Sequence, residues 1–371
     1  MDTNSPPVSD RTKKLRKAIE STEGLSIWGE VAVPPSLETS ITSFNRALRS
    51  GGPPGGMIGV IHGPSQGGKT VLASEILRAA MASGGMALFG DAEARGVDQK
   101  WFRAICGDYI NEIAYSRPKT YQSWIATVDQ FREKFRKLKD DKVLPTGAFL
   151  AVAVDSLDRL RPEEEVVARK KGEKIGARGY PLRAMMNANW LSSIGPDLSS
   201  DEVLVLIVRE STKLNARPGQ KTYNIRGGKA VGYDAGWVVR CTNSHRVKVG
   251  EKRIGEKHEI MVSKNSMGPH LEEKAEFYTL AGISEEHPLG LDMAREIRQE
   301  AILRGLIKRP KGKYVYGDEE IGVKERIVGW LKEPGTDGRV RLEVLAEELN
   351  DGIEQFINVS EPGEDGGEVE Q

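Results

Sequence analysis

A chain of 371 residues can hold two domains, or one large core with appendages. Its 54 Lys and Arg balance 54 Asp and Glu, which excludes a basic coat over the whole surface. The longest apolar runs, such as 148–154 and 203–208, are strand-sized, so no membrane span is expected. The first residues lack the basic-then-apolar layout of a secretory signal. The two cysteines, Cys106 and Cys241, show neither metal-ligand spacing nor a disulfide framework. They are expected to be buried, reduced thiols of a cytoplasmic protein.

The periodicity over 10–21 predicts a helix with Leu15 and Ile19 on one side and Arg11, Lys13, Lys14, Arg16 and Lys17 on another. A linker, 24–35, and a short ordered segment, 39–48, follow. The glycine- and proline-rich stretch 50–56 then leads into a buried strand, 57–62.

Next comes Gly63-Pro64-Ser65-Gln66-Gly67-Gly68-Lys69-Thr70, which fits the phosphate-binding pattern G-x-x-x-x-G-K-[ST]. Glycines there let successive backbone N–H groups converge on phosphate oxygens. Lys69 can reach the terminal phosphates, and Thr70 can offer its hydroxyl to Mg2+. The helix expected over 71–81 would aim its N-terminal dipole at the same point. The loop therefore binds ATP or a close relative.

Residues 86–93 read as a second strand ending in acids, 101–105 as a helix, 110–116 as a strand and 121–138 as a long amphipathic helix. The run 148–154 is a buried strand capped by Asp155. Strands alternating with helices predict an α/β fold with a mainly parallel sheet, which binds ligands at the carboxyl ends of its strands. Asp155 stands where a carboxylate can hold the water shell of Mg2+, and Glu93 where one can orient attacking water.

Two stretches concentrate positive charge. In 163–183 acids precede Arg169, Lys170, Lys171, Lys174, Arg178 and Arg183. In 209–229, Lys213, Arg217, Lys221, Arg226 and Lys229 face a single acid, Glu210. Both read as long loops, and composition leaves a phosphate-backbone surface and an ordinary solvated loop equally open. Between them lie a helix over 181–194 and a buried strand over 203–208, and strands at 258–263 and 275–280 complete the core. From about residue 287 helices are expected at 293–304, 324–331 and 342–349, around a basic aromatic segment, 307–316. The last residues are acidic and glycine-rich, the composition of a disordered tail.

In this order the residues resemble the RecA family of DNA strand-exchange ATPases, from about residue 10 to 350. The segment 39–48 before Gly51-Gly-Pro-Pro-Gly-Gly56 resembles the family's lead-in to its phosphate loop, and Asp91-Ala-Glu93 the segment of its catalytic glutamate. Asp98 and Trp101 stand where the family holds adenine. Ala184-Met-Met186 follows its first DNA-binding loop, Gly227-Gly228-Lys-Ala230 closes its second, and 305–331 resembles its C-terminal domain.

The resemblance implies an N-terminal docking helix with linker (1–35), an ATPase core (36–286), a small α+β C-terminal domain (287–350) and a tail (351–371). It implies ATP and Mg2+ as cofactors and a helical filament on single-stranded DNA that pairs with double-stranded DNA. The sites would be Glu93, Lys69 and Lys264 for catalysis. ATP would lie on the phosphate loop with Asp98, Trp101 and Tyr233, and the metal on Thr70 and Asp155. DNA would meet Lys174, Arg178, Arg183, Lys213, Arg217, Lys221, Arg226, Gly227 and Gly228.

The chain also departs from the family. Arg209 and Glu210 stand where the family has a glutamine that senses the terminal phosphate. Of two lysines that reach a neighbour's ATP, Lys264 is retained and Ser266 replaces the other, while Gly232, beside Tyr233, replaces a further interface lysine. A nucleotide-switched DNA-binding filament with little turnover, and a hexameric helicase of the same core, are the competing readings.

Overall fold

The computed structural model describes residues 10–22, 32–93, 99–172, 179–212, 223–268, 272–335 and 338–358. The chain divides into two units, Met1–Pro35 and Ser36–Gln371. In the first, α1 spans Asp10–Glu20, and its Leu15 is exposed to solvent.

The second unit opens with α2 (Thr42–Ala47), β1 (Met57–Gly63) and α3 (Lys69–Ala82). Then follow β2 (Met86–Asp91), α4 (Gln99–Cys106), β3 (Ala114–Ser116), α5 (Tyr121–Asp140) and β4 (Leu150–Asp155). After α6 (Glu163–Lys170) and α7 (Gly179–Asp197) come β5 (Glu202–Thr212), β6 (Tyr223–Ile225) and α8 (Lys229–Tyr233). The antiparallel strands β7 (Trp237–Val249), β8 (Lys252–Asn265), β9 (Glu273–Ser284) and β10 (His287–Leu291) complete one ten-stranded sheet.

The order β10-β9-β8-β7-β1-β5-β4-β2-β3 puts the phosphate-loop strand at the centre, with β6 paired to β5 at its far end. From β7 to β3 the strands run parallel. Both faces of the parallel part are covered, which explains why its strands read as unbroken apolar runs. In β5, Val203, Val205 and Ile207 join the core under α3, while Leu204, Leu206 and Val208 join the one under α5 and α7. Trp124 and Trp190 fill that second core. Gly59 makes room for the Trp237 ring, whose nearest atom would lie 1.9 Å from a Cβ there.

The sheet passes at β10 into α9 (Met293–Leu303), so the expected boundary at residue 287 falls inside its edge hairpin. Beyond lie β11 (Ile307–Lys308), β12 (Tyr314–Tyr316) and β13 (Glu319–Gly322), forming a small antiparallel sheet, then α10 (Ile327–Leu331) and α11 (Arg341–Asn358). They share a third apolar core around Ile297, Ile307, Trp330, Leu345 and Leu349. Residues 359–371 lie outside the described residues.

Several expectations need correction. The sequence did not mark β7 as a strand, because only its first half is buried and from Asn243 onward it is largely exposed. The segment 163–170 is a helix, not a loop: acids in its first turn and Arg169 and Lys170 in its last suit the helix dipole. The second basic stretch begins and ends in a hairpin, with Glu210 opposite Ile225 and Thr212 opposite Tyr223. The basic aromatic segment 307–316 supplies two strands. Both cysteines are free and buried, and burial pushes each thiol up to about 12. No helix among the described residues is long and apolar enough to cross a membrane.

Candidate functional site

The loop from Gly63 to Thr70 leaves the central strand and turns into α3. Its shape depends on left-handed backbone at Gly68, with φ +92° at the N-cap. A Cβ there would lie 2.7 Å from Phe277 Cζ and 2.9 Å from His258 Nδ1. The Lys69 ammonium donates to the loop's own carbonyls, Pro64 O at 2.6 Å and Gly63 O at 3.1 Å, so it is held across the cradle.

The Thr70 hydroxyl donates to Asp155 Oδ2 at 2.6 Å, which brings the two expected metal-side oxygens together. Burial raises the Asp155 pKa; the Thr70 hydrogen bond opposes this, and the nearby Glu93 charge adds to it. No group of three or more His, Cys, Asp or Glu side chains suited to a metal occurs among the described residues. A hydroxyl and one carboxylate fit Mg2+, which keeps waters and takes its remaining oxygens from substrate phosphates.

Glu93 follows β2, and its backbone N–H donates to Asp155 O at 3.1 Å across the β2–β4 edge. Its Oε1 accepts from Ser156 Oγ at 3.2 Å and lies 3.7 Å from Arg159 Nε. Lys69, Thr70, Asp155 and Glu93 thus collect at the carboxyl ends of β1, β4 and β2.

Beside the phosphate loop is a cleft of about 330 Å3 lined by Gln66, Gly68, Lys69, Thr70, Trp101 and residues of β8 and β9. Trp101 supplies a ring to its wall; Asp98 lies outside the described residues. Sequence reasoning missed Arg253, Glu256 and His258, which line the same cleft from β8. His258 is buried, stacks on Phe277 at 4.8 Å and bonds Thr279 Oγ1 through Nε2 at 3.1 Å. The Gly67 carbonyl is close to this ring, but outside hydrogen-bond geometry, so Nδ1 has no partner. Burial holds the ring's pKa below its usual value.

Lys264 and Tyr233 are not part of this cleft. The Lys264 ammonium donates to the carbonyls of Tyr233 at 2.7 Å and Gly232 at 3.2 Å, capping the end of α8, and Tyr233 is exposed. Partial burial lowers the Lys264 pKa, with Asp234 opposing.

A second cleft, of about 350 Å3, opens at the end of α7 and the turn after β4. Arg183, Arg226, Gly227 and Gly228 meet there, joined by Arg209, which the sequence marked only as a replacement for the family's glutamine, and by Arg159 and Arg161, which it did not single out. Gly227 is fixed by Asn187, whose amide donates to its carbonyl at 2.6 Å. Lys174, Arg178, Lys213, Arg217 and Lys221 lie outside the described residues. Five guanidinium groups around one cleft form a surface for phosphate oxygens.

The RecA N-terminal domain model matches residues 30–284. The chain belongs to the RecA family. Among its relatives are the RecA proteins of Chlorobaculum parvum, 27% identical over 90% of this chain and 92% of that protein, and of Thermus aquaticus, 26% identical over 91% and 94%. The RecA protein of Rubrobacter xylanophilus is 28% identical over 86% of each chain.

Where RecA has its phosphate-sensing glutamine, Arg209 is turned to Asp158 Oδ2 at 2.8 Å. Glu210 bonds His62 Nδ1 at 2.8 Å and accepts from Arg240 Nε at 2.7 Å. Burial would raise the Glu210 pKa, but these hydrogen bonds outweigh it and hold the carboxyl down to about 2. Arg240 also lies over the Tyr223 ring at 3.9 Å. This member of the RecA family thus ties β1, just before the phosphate loop, to the base of the second basic hairpin through His62, Glu210 and Arg240 rather than a glutamine.

Proposed function

We propose that this RecA-family chain is a DNA-dependent ATPase and recombinase that assembles as a helical filament on single-stranded DNA. It pairs that strand with homologous duplex and exchanges strands, in the cytoplasm. The observation that carries the reading is the gathering of Lys69, Thr70, Asp155 and Glu93 beside a cleft walled by Trp101.

In this reading Lys69 exchanges its loop carbonyls for terminal phosphate oxygens, and the loop amides hold the rest of the chain of phosphates. Mg2+, held by Thr70 and Asp155, would draw charge from the transferred phosphoryl group. Glu93, oriented by Ser156, accepts a proton from the attacking water. Lys264 approaches the same phosphates from a neighbouring subunit, with Tyr233 at that contact, and ATP sits between subunits. The arginine cleft and the two basic stretches hold the DNA backbone, so binding is strong in low salt and nearly indifferent to sequence.

Ser266 and Gly232 favour a second reading, a nucleotide-switched filament with little turnover, since neither can supply a cation across the interface. Negative-stain electron microscopy of the protein with single-stranded DNA and a slowly hydrolysed ATP analogue tests the assembly. Helical filaments that require both ligands are expected; closed rings, or particles unchanged by DNA, would refute it.

A further inference from the structure

The arginine cleft has its counter-ions built in. Arg183 pairs with Glu165, Arg209 with Asp158, and Arg159 with Glu93. A phosphate strand entering the cleft must exchange with these carboxylates. Two of them do nothing else in the reading above; the third is the proposed general base.

Arg159 lines the arginine cleft while its Nε lies 3.7 Å from Glu93 Oε1. A short turn carries it: Asp155 ends β4, Ser156 donates to Glu93, and the Arg159 amide donates back to Ser156 O at 2.9 Å. The metal-side carboxylate, the residue orienting the base and the cation pairing with it therefore follow one another within five residues, Asp155 to Arg159.

We infer that Arg159 is a positioning residue that restrains Glu93 until DNA arrives. This inference rests on the DNA-dependent ATPase reading. In the absence of DNA, Arg159 draws the Glu93 carboxylate toward the arginine cleft through Oε1, the same oxygen that accepts from Ser156. A DNA phosphate offers the guanidinium a doubly hydrogen-bonded partner in place of a single distant oxygen. Arg159 then swings to the phosphate and releases its pull on the Glu93 carboxylate.

The geometry suits an exchangeable contact rather than a structural staple. The Arg159 side chain is 41% exposed and the Glu93 side chain 15%. At 3.7 Å the pair is too long for a hydrogen bond, and half-exposed pairs of this kind shift equilibria only a few-fold. By reciprocity, whatever DNA does to free Glu93, removing the Glu93 charge must do to strengthen DNA binding.

The test has two arms on the full chain. Steady-state ATP hydrolysis by wild type and Arg159→Gln is measured without and with single-stranded oligothymidylate. The variant should raise the DNA-free kcat by about two- to fivefold, leave KM for ATP unchanged and shrink the DNA stimulation by a similar factor. Separately, fluorescence anisotropy measures oligothymidylate binding by nucleotide-free protein. Glu93→Gln should tighten it by about the same two- to fivefold, and adding Arg159→Gln should erase that gain. A merely structural Arg159 would lower hydrolysis and leave the second arm flat.

If wild type is stimulated by DNA while a folded Arg159→Gln protein shows no rise in DNA-free kcat, the restraint is refuted and the ATPase reading stands. If wild type hydrolyses ATP equally with and without DNA, both fail. Should Arg159→Gln not fold, an unchanged DNA affinity in Glu93→Gln alone overturns the inference.

Discussion

Replacing Glu296 by Gln should stabilise the protein in a way that grows with pH. Glu296 sits in α9, only 2% exposed, where Oε1 accepts the Ser43 backbone N–H at 2.6 Å and Oε2 has no partner. Burial pushes its pKa from 4.5 up to about 8; the Ser43 amide opposes this and the nearby Glu300 charge adds to it. Below the unfolded value both states hold the proton, and the group contributes nothing to stability. As pH rises from there, the unfolded chain ionises first, so stability falls until the folded pKa is passed. At about 1.4 kcal/mol per pH unit, the full penalty has a ceiling of roughly 5 kcal/mol.

Glutamine keeps the acceptor for Ser43 and removes the ionisation, at the cost of a buried amide without partners worth about 1–2 kcal/mol. The net gain expected above about pH 8 is at most roughly 3–4 kcal/mol, and little or none near pH 5. For a folded unit of this length that gain is a Tm increase of up to about 4–6 °C. Calorimetry of wild type and Glu296→Gln near both pH values reads it directly. A shift of equal size at both pH values, or a loss of stability at the higher one, would refute the argument.

Three further outcomes follow from the sites. Gly68→Ala forces a Cβ against Phe277 and His258 at a left-handed position, so it should cost about 1–3 kcal/mol and abolish nucleotide binding; calorimetry showing no change in Tm would contradict the packing. Lys264→Ala should leave nucleotide binding by isolated subunits nearly unchanged but lower DNA-stimulated hydrolysis by roughly two orders of magnitude or more. Mixed with Glu93→Gln it should recover activity at interfaces pairing intact residues, and a mixture as dead as its parts would remove Lys264 from the interface. Neutralising Lys213, Arg217, Lys221 and Arg226 together should flatten the salt dependence of DNA binding by up to about three units in log–log slope. An unchanged slope would make these residues solvated charge only.

The phosphate loop, Glu93 and Asp155 were legible because their signals are local. Each is a strand end with its functional residue immediately after, and the sheet needs only to be parallel for them to meet. The wall facing the loop was not legible. Arg253, Glu256 and His258 reach it from β8, whose partner strand β7 is largely exposed beyond Asn243 and gives little sign of pairing in the sequence. Arg159 was hidden for a different reason. It carries no motif of its own, and only the register of β2 beside β4 brings it to Glu93. In the basic stretch 163–183, the charges of 163–170 mark the two ends of a helix, where the sequence reads as a loop.

In the proposed function one site hydrolyses ATP under the control of DNA. The most direct test is phosphate release by wild type, Lys69→Ala and Glu93→Gln, each with and without single-stranded DNA. Wild type should turn over ATP with a rate that rises at least about tenfold with DNA. Lys69→Ala should fail to bind ATP tightly. Glu93→Gln should bind it and lose about two or more orders of magnitude in turnover. A wild-type rate indifferent to DNA, or normal hydrolysis by Glu93→Gln, would contradict the account.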